Sequence, residues 1–270
     1  MSAARPLPPR RRARGLTLTE MMVGLSAGLL VTMAGISTLL LARQGFATTS
    51  DQSLNFDAGR LGIDLVARNV RMAGSPPFDP ATVTTDINFA LPNGDLALGG
   101  TEGGDATDTL TVRYWSNQAY DAARMVGADC LGQAVGVGLV VNIFSVTANG
   151  ELGCVGNGTG ASATATAVAS HVTDLQVRYG LAATVDDHSA ARFVDASVVT
   201  SEVAWNRVRA VELCLEVTAP DKRPGSGASP GLNCRGAAFP NDNRLRKTYR
   251  THVNVRNFTA GNIFPGNAMP

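Results

Sequence analysis

Gly15 and Glu20 carry the strongest chemical signal in this sequence. Gly15 closes a stretch that holds Arg5, Arg10, Arg11, Arg12 and Arg14 but no acid, and Glu20 is the lone charge before the uncharged run from Met21 to Ala42. A basic leader ending in glycine, set ahead of an apolar segment, marks a processing site. An ordinary secretory signal is cut after its apolar stretch; cleavage after Gly15 leaves that stretch on the product, with Leu16 as the new first residue. Glu20 implies a second kind of chemistry. A carboxylate costs about 2.5–3.5 kcal/mol at the centre of a membrane helix and less toward an end, so its presence calls for a partner. Proteolytic processing and charge pairing are therefore expected here, and catalysis is not.

Cys130, Cys154, Cys214 and Cys234 form the second group. None lies in a C-x-x-C pair, and His171, His188 and His252 are too widely spaced to complete a zinc set, so no metal site is expected. An even count fits two disulfides in an oxidising compartment. Nearest-neighbour pairing, Cys130 with Cys154 and Cys214 with Cys234, is the expectation, although four cysteines permit three pairings and sequence does not choose among them.

The elements that must position these groups follow from periodicity. Met21 to Ala42 is long enough to cross a hydrocarbon layer of about 30 Å as a helix. Beyond Arg43 and Gln44 the helical pattern continues, with Leu54, Ala58, Leu61, Leu65 and Met72 on one stripe, widened by Ile63, Val66 and Val70. Asp57, Arg60, Asp64, Arg68 and Arg71 lie elsewhere around the helix. One helix from Leu16 to about Ala73 is expected, apolar all round at first and amphipathic later, with several glycines as points of weakness. Gly74, Ser75, Pro76 and Pro77 stop it. The period then changes to two around Leu110–Tyr114, Leu175–Tyr179, Val211–Val217 and Tyr249–Val255, and Val137–Val146 is a candidate buried strand. Gly99–Asp105, Gly153–Ala167 and Pro224–Gly236 have the composition of exposed loops. The expected class is α+β: a long N-terminal helix, transmembrane in its first half, whose amphipathic second half packs on an antiparallel sheet with one wet face. The domain boundaries expected are a leader over 1–15, a membrane helix over 16–44, an amphipathic half over 45–74 and a β-rich head over 75–270.

Charge excludes one class of partner. The chain holds 23 Lys and Arg against 22 Asp and Glu, and loss of the leader leaves 18 basic against 22 acidic side chains. A mildly acidic product lacks the basic surplus that phosphate binding needs, so no nucleic acid is expected. Arg244, Arg246, Lys247 and Arg250 suit the flank of an edge strand. Asp186, Asp187 and His188 fit a turn, and Trp205 fits a core aromatic ahead of a strand. Nucleophile-elbow, zinc-protease and phosphate-loop motifs are absent from the sequence, and no cofactor or catalytic residue is expected.

The N-terminal pattern, Gly15-Leu16-Thr17-Leu18-Thr19-Glu20, with the split-character helix and late sheet, resembles the type IV pilin and type II secretion pseudopilin superfamily. Leu16 and Thr19 depart from that family's commonest residues. Asp64–Gly74, Val208–Val217 and Tyr249–Asn257 further resemble PilW-type minor pilins. The resemblance implies a pilin fold, cleavage at Gly15 by a prepilin peptidase and methylation of the new amino group of Leu16. It also implies that Glu20 pairs with the cationic terminus of a neighbouring subunit during filament assembly. A minor pilin of the type IV pilus is the function implied, with other minor pilins and the major pilin as partners. Its place would be the bacterial inner membrane, with a periplasmic head. The alternative is a J-like minor pseudopilin of a type II secretion system.

Overall fold

No proline interrupts the sequence from Thr17 to the Gly74-Ser75-Pro76-Pro77 stop, and it forms a single helix, α1, over Leu18–Met72. This computed structural model describes residues 15, 17–77, 91, 95–222, 227 and 229–257. The leader up to Arg14, and Leu16 itself, lie outside the described residues. Gly74 ends the helix in the left-handed region (φ 74°), where a Cβ would strike the Asn257 carbonyl. The chain divides into two compact units, Met1–Ser50 and Asp51–Pro270, and α1 contributes to both.

Among the described residues of the second unit, nine strands make two antiparallel sheets. β1 (Leu98–Thr101), β2 (Thr109–Ser116), β3 (Gly138–Val146), β4 (Leu152–Val155) and β5 (Thr166–Ala169) lie side by side in chain order. β6 (Val172–Leu181), β7 (Arg192–Val194), β8 (Val208–Lys222) and β9 (Arg244–Asn254) form the other sheet in the order β7-β6-β8-β9. A short helix, α2 (Ala196–Ser201), and a 3-10 turn at Trp205–Arg207 precede β8. The α+β expectation holds, with two sheets in place of one. Segments with loop composition, Gly99–Asp105 and Gly153–Ala167, contribute the short strands β1, β4 and β5. Their pairing rests on the backbone, which composition does not reveal.

Alternation sets the core. Leu175, Leu215 and Tyr249 stand opposite one another across β6, β8 and β9, as do Val177, Leu213 and Thr251, then Tyr179, Val211 and Val253. Val66, Ala67 and Val70 of α1 join Leu110, Val112, Val140 and Phe144 of the first sheet and the inner face of the second in one apolar cluster. The sheets are also tied through Asp108, whose N–H donates to the Leu175 carbonyl (2.9 Å) and whose Oδ2 accepts the Val177 N–H (2.8 Å).

Two expectations about faces need correction. Leu54 and Leu61, expected on the buried stripe, are 44% and 57% exposed, and the helix instead buries Asn55, Ala58, Gly59, Gly62, Val66, Ala67, Asn69 and Val70. The cause is close approach: a Cβ on Gly59 would run into the Tyr249 ring, and one on Gly62 would press on Leu215 and Leu152. These glycines are contact positions and not points of weakness. Likewise the outward face of β8 is largely covered: Ala210, Cys214, Glu216 and Thr218 are buried, and Glu212 is partly so.

Two disulfides, Cys130–Cys154 and Cys214–Cys234, bridge 24 and 20 residues. Each lowers the entropy of the unfolded chain by about 3 kcal/mol in the loop-closure account. The first loop is pinned to α1 by a buried amide relay. Asn142 Nδ2 donates to Asn69 Oδ1 (2.7 Å), and Asn142 Oδ1 accepts the Cys130 N–H (3.0 Å).

Helix α2 ends against its residue type. The Ala204 N–H donates to the Val199 carbonyl and the Val203 N–H to that of Thr200, a Schellman closure in which Val203 takes the left-handed position (φ 50°) while 84% exposed. Glycine is favoured there because a β-branched side chain clashes with its own backbone. Val203→Gly is expected to raise stability by about 1 kcal/mol, visible as a higher midpoint in urea denaturation; an unchanged or lower midpoint would show that the valine is unstrained.

Candidate assembly site

Threonine followed three residues later by glutamate, just before an apolar run, is the sequence signature of a capping box. The structure forms it. Thr17 is the residue before α1 and Glu20 lies in its first turn. The Thr17 N–H donates to Glu20 Oε2 (3.0 Å), and the Glu20 N–H donates to Thr17 Oγ1 (3.3 Å). The Thr17 hydroxyl also donates to Glu20 Oε2 (3.0 Å), while Thr17 and Thr19 Oγ1 lie 3.1 Å apart. Two of the N–H groups that a helix start leaves without intrahelical partners are thereby satisfied. Carboxylate charge at this end also opposes the positive pole of the helix. Gly15 is exposed and non-helical, two residues before Thr17.

From Leu18 the helix presents apolar side chains all round. Met22, Leu25, Leu30, Val31 and Leu41 are each more than 60% exposed, and the first half of α1 is long and apolar enough to cross a membrane by length and composition. Polar atoms within Met21–Ala42 turn inward: Ser26, Thr32, Ser37 and Thr38 each donate to a carbonyl three or four residues back, at 2.8–2.9 Å. Such back-bonding leaves no hydroxyl needing water, as a hydrocarbon environment demands. Glu20 is the one acid in the helix before Asp51.

In the second unit, the residues that could have done other chemistry have structural partners. Arg246 of β9 donates to Glu216 Oε1 (2.7 Å), Thr218 Oγ1 (3.1 Å) and Asp242 Oδ2 (2.6 Å). Arg250 donates to the Asn233 and Cys234 carbonyls (2.9 and 3.1 Å), and Arg244 to that of Ala219 (3.4 Å). The basic run thus holds the Cys214–Cys234 loop against the sheet. Asp187 Oδ2 accepts both the N–H and the hydroxyl of Thr184 (2.8 and 3.0 Å), which holds its carboxyl below the usual range and builds the expected turn. Trp205 packs edge-on against Tyr179, with ring centroids 4.9 Å apart. Among the described residues no group of three or more His, Cys, Asp or Glu could hold a metal ion.

Residues 143–257, from within β3 to beyond β9, match the family described as Type IV Pilus-assembly protein W. That part of the chain is PilW-like. The match covers both strands of the Val208–Val217 and Tyr249–Asn257 resemblance, and the PilW-like head stands on the same chain as the apolar N-terminal helix. A solved structure, the type IV-like pilin TTHA1219 from Thermus thermophilus, is similar over 75% of this chain and 96% of its own, at 19% identity and a TM-score of 0.45. No curated protein matches the sequence.

Sequence reasoning singled out Glu20 but missed Thr17, although the T-x-x-E spacing was there to be read. It also missed the Arg246–Glu216–Asp242 cluster, in which Arg246 lies 30 residues from Glu216 and meets Asp242, four residues before it, only once the turn before β9 is formed.

Proposed function

We propose that this chain is a minor pilin that takes part in starting or capping a type IV pilus. A prepilin peptidase cuts after Gly15 and methylates Leu16, and the helix then holds the protein in the inner membrane with its head in the periplasm. On assembly the apolar half of α1 leaves lipid for the filament core, where its exposed Leu, Met and Val side chains pack on neighbouring helices. Glu20 then meets a cationic terminus on an adjacent subunit, whether minor or major pilin. A charge pair in such a low-dielectric bundle is far stronger than in water. The role is structural, without catalysis or cofactor.

The observation that carries this reading is the pairing, on one chain, of a PilW-like head with a helix whose exposed apolar half has Glu20, in its first turn, as the one acid before Asp51. Deletion of the gene tests it. Surface pili are expected to disappear or fall sharply, with restoration by the wild-type gene. Normal piliation combined with loss of a secreted enzyme would overturn it in favour of a type II secretion pseudopilin.

A further inference from the structure

We infer that the outer edge of β9, from Thr248 to Asn254, is a docking site for an extended, acidic segment of a partner protein. β9 closes its sheet in the order β7-β6-β8-β9, so one of its edges carries no strand among the described residues. Which main-chain groups face that edge follows from the ladder. Asn254 stands opposite Ala210, and the Val255 N–H donates to the Arg209 carbonyl (2.8 Å). Bonded and non-bonded pairs alternate along an antiparallel ladder. Lys247, Tyr249, Thr251 and Val253 therefore turn their N–H and C=O toward β8, and Thr248, Arg250, His252 and Asn254 turn theirs away. The start of the strand agrees with this parity: the Arg246 N–H donates to Ser229 Oγ (2.7 Å), and that hydroxyl donates to the Arg244 carbonyl (2.9 Å). Ser229 thus closes the edge at its first two outward positions. From Thr248 on, no hydrogen bond among the described residues closes it, and Arg250, His252 and Asn254 are exposed.

An open row of alternating donors and acceptors is matched by another extended backbone. Charge narrows the choice of strand. Lys247, Arg250 and Arg256 are exposed along this edge. Glu212, the acid that Arg250 meets at 3.8 Å, is shared with Arg178 at 3.9 Å. Like charges facing each other across a strand pair are destabilising, and opposite charges are favourable. A second copy adding through its own β9 would set these cations against one another, whereas a strand bearing Asp or Glu is attracted. The basic run is then a filter on the incoming strand. This surface belongs to the head and stands apart from the reading of Glu20.

Amide-resolved hydrogen exchange on the full chain in detergent micelles tests the site. The probes are two short capped peptides, one alternating valine with glutamate and the other valine with lysine. The glutamate peptide is expected to slow exchange severalfold at Thr248, Arg250, His252 and Asn254. Tyr249, Thr251 and Val253, already bonded to β8, are expected to stay unchanged, and the lysine peptide to have no effect. His252→Pro removes one outward N–H and spares the ladder, a position where an edge strand accepts proline; it is expected to keep the fold and abolish the slowing. Should His252→Pro fail to fold, Lys247→Glu combined with Arg256→Glu carries the test, with the preference expected to pass to the lysine peptide. Slowing at none of the four amides, equal slowing at all seven, an equal effect of the two peptides, or an unchanged preference in the charge-reversed chain overturns the proposal. Slowing at the same four amides when the protein alone is concentrated also overturns it, because the occupant would then be a second copy.

Discussion

Arg246→Ala is expected to destabilise the head by about 3–5 kcal/mol, because it strands a buried carboxylate without its partner. Glu216, whose side chain is 9% exposed, receives its Arg246 contact at 2.7 Å, and the Arg246 side chain is itself 15% exposed. In thermal denaturation followed by tryptophan fluorescence, this corresponds to a fall in Tm of roughly 10 °C. The combined change Glu216→Leu with Arg246→Met removes both charges and is expected to recover most of the loss, since a buried pair replaced by apolar groups of similar volume is often neutral. A drop below about 1 kcal/mol for Arg246→Ala alone would show that Glu216 finds water, and would contradict the buried pair.

The same cluster sets an acid dependence. The hydrogen bond from Arg246 holds the Asp242 carboxyl below its usual range. A carboxylate with a lowered folded pKa contributes stability that is present above its unfolded value, about 4, and is lost as pH falls through the folded value. Asp108 runs the other way: burial raises its carboxyl, so its effect favours the fold as pH falls. Asp108 is common to wild type and Arg246→Ala, so its contribution cancels in the difference between them, which reports on the carboxylates that Arg246 holds. That difference should narrow on acidification below pH 4.

Glu20→Gln is expected to leave membrane insertion and cleavage intact and to reduce incorporation into pili at least tenfold. Glutamine preserves the acceptor that closes the helix but cannot pair with a cationic terminus, and loss of one partner of a desolvated charge pair commonly exceeds 2 kcal/mol. Quantifying the protein in sheared pili against that in membranes reads the effect. Equal ratios for variant and wild type would mean that the helix serves only as a tether.

Periodicity made the helix and the five longest strands legible, because burial of one face imposes its spacing directly on residue type. Leu110, Val112 and Tyr114 in β2, and Val211, Leu213, Leu215 and Val217 in β8, are buried as their alternation indicates. The rotation of α1 was not legible. Counting large apolar residues favoured Leu54 and Leu61, whereas the contact with β9 selects Gly59 for its lack of a side chain. β1, β4 and β5 escaped notice for a related reason, since glycine and alanine carry little signal of a strand held by main-chain pairing. Buried polar positions such as Asn142, fully inaccessible in β3, gain their partners only through tertiary contact. At the N terminus the reverse held: Glu20 and Thr17 are three residues apart, and their chemistry is written locally.

The central claim is that the apolar helix survives processing as the first element of the mature chain. N-terminal sequencing with intact-mass measurement of protein extracted from membranes tests it most directly. A chain beginning at Leu16 with a methylated amino group is the expected result. An intact Met1, or a start near Thr48 with the helix removed, would contradict it.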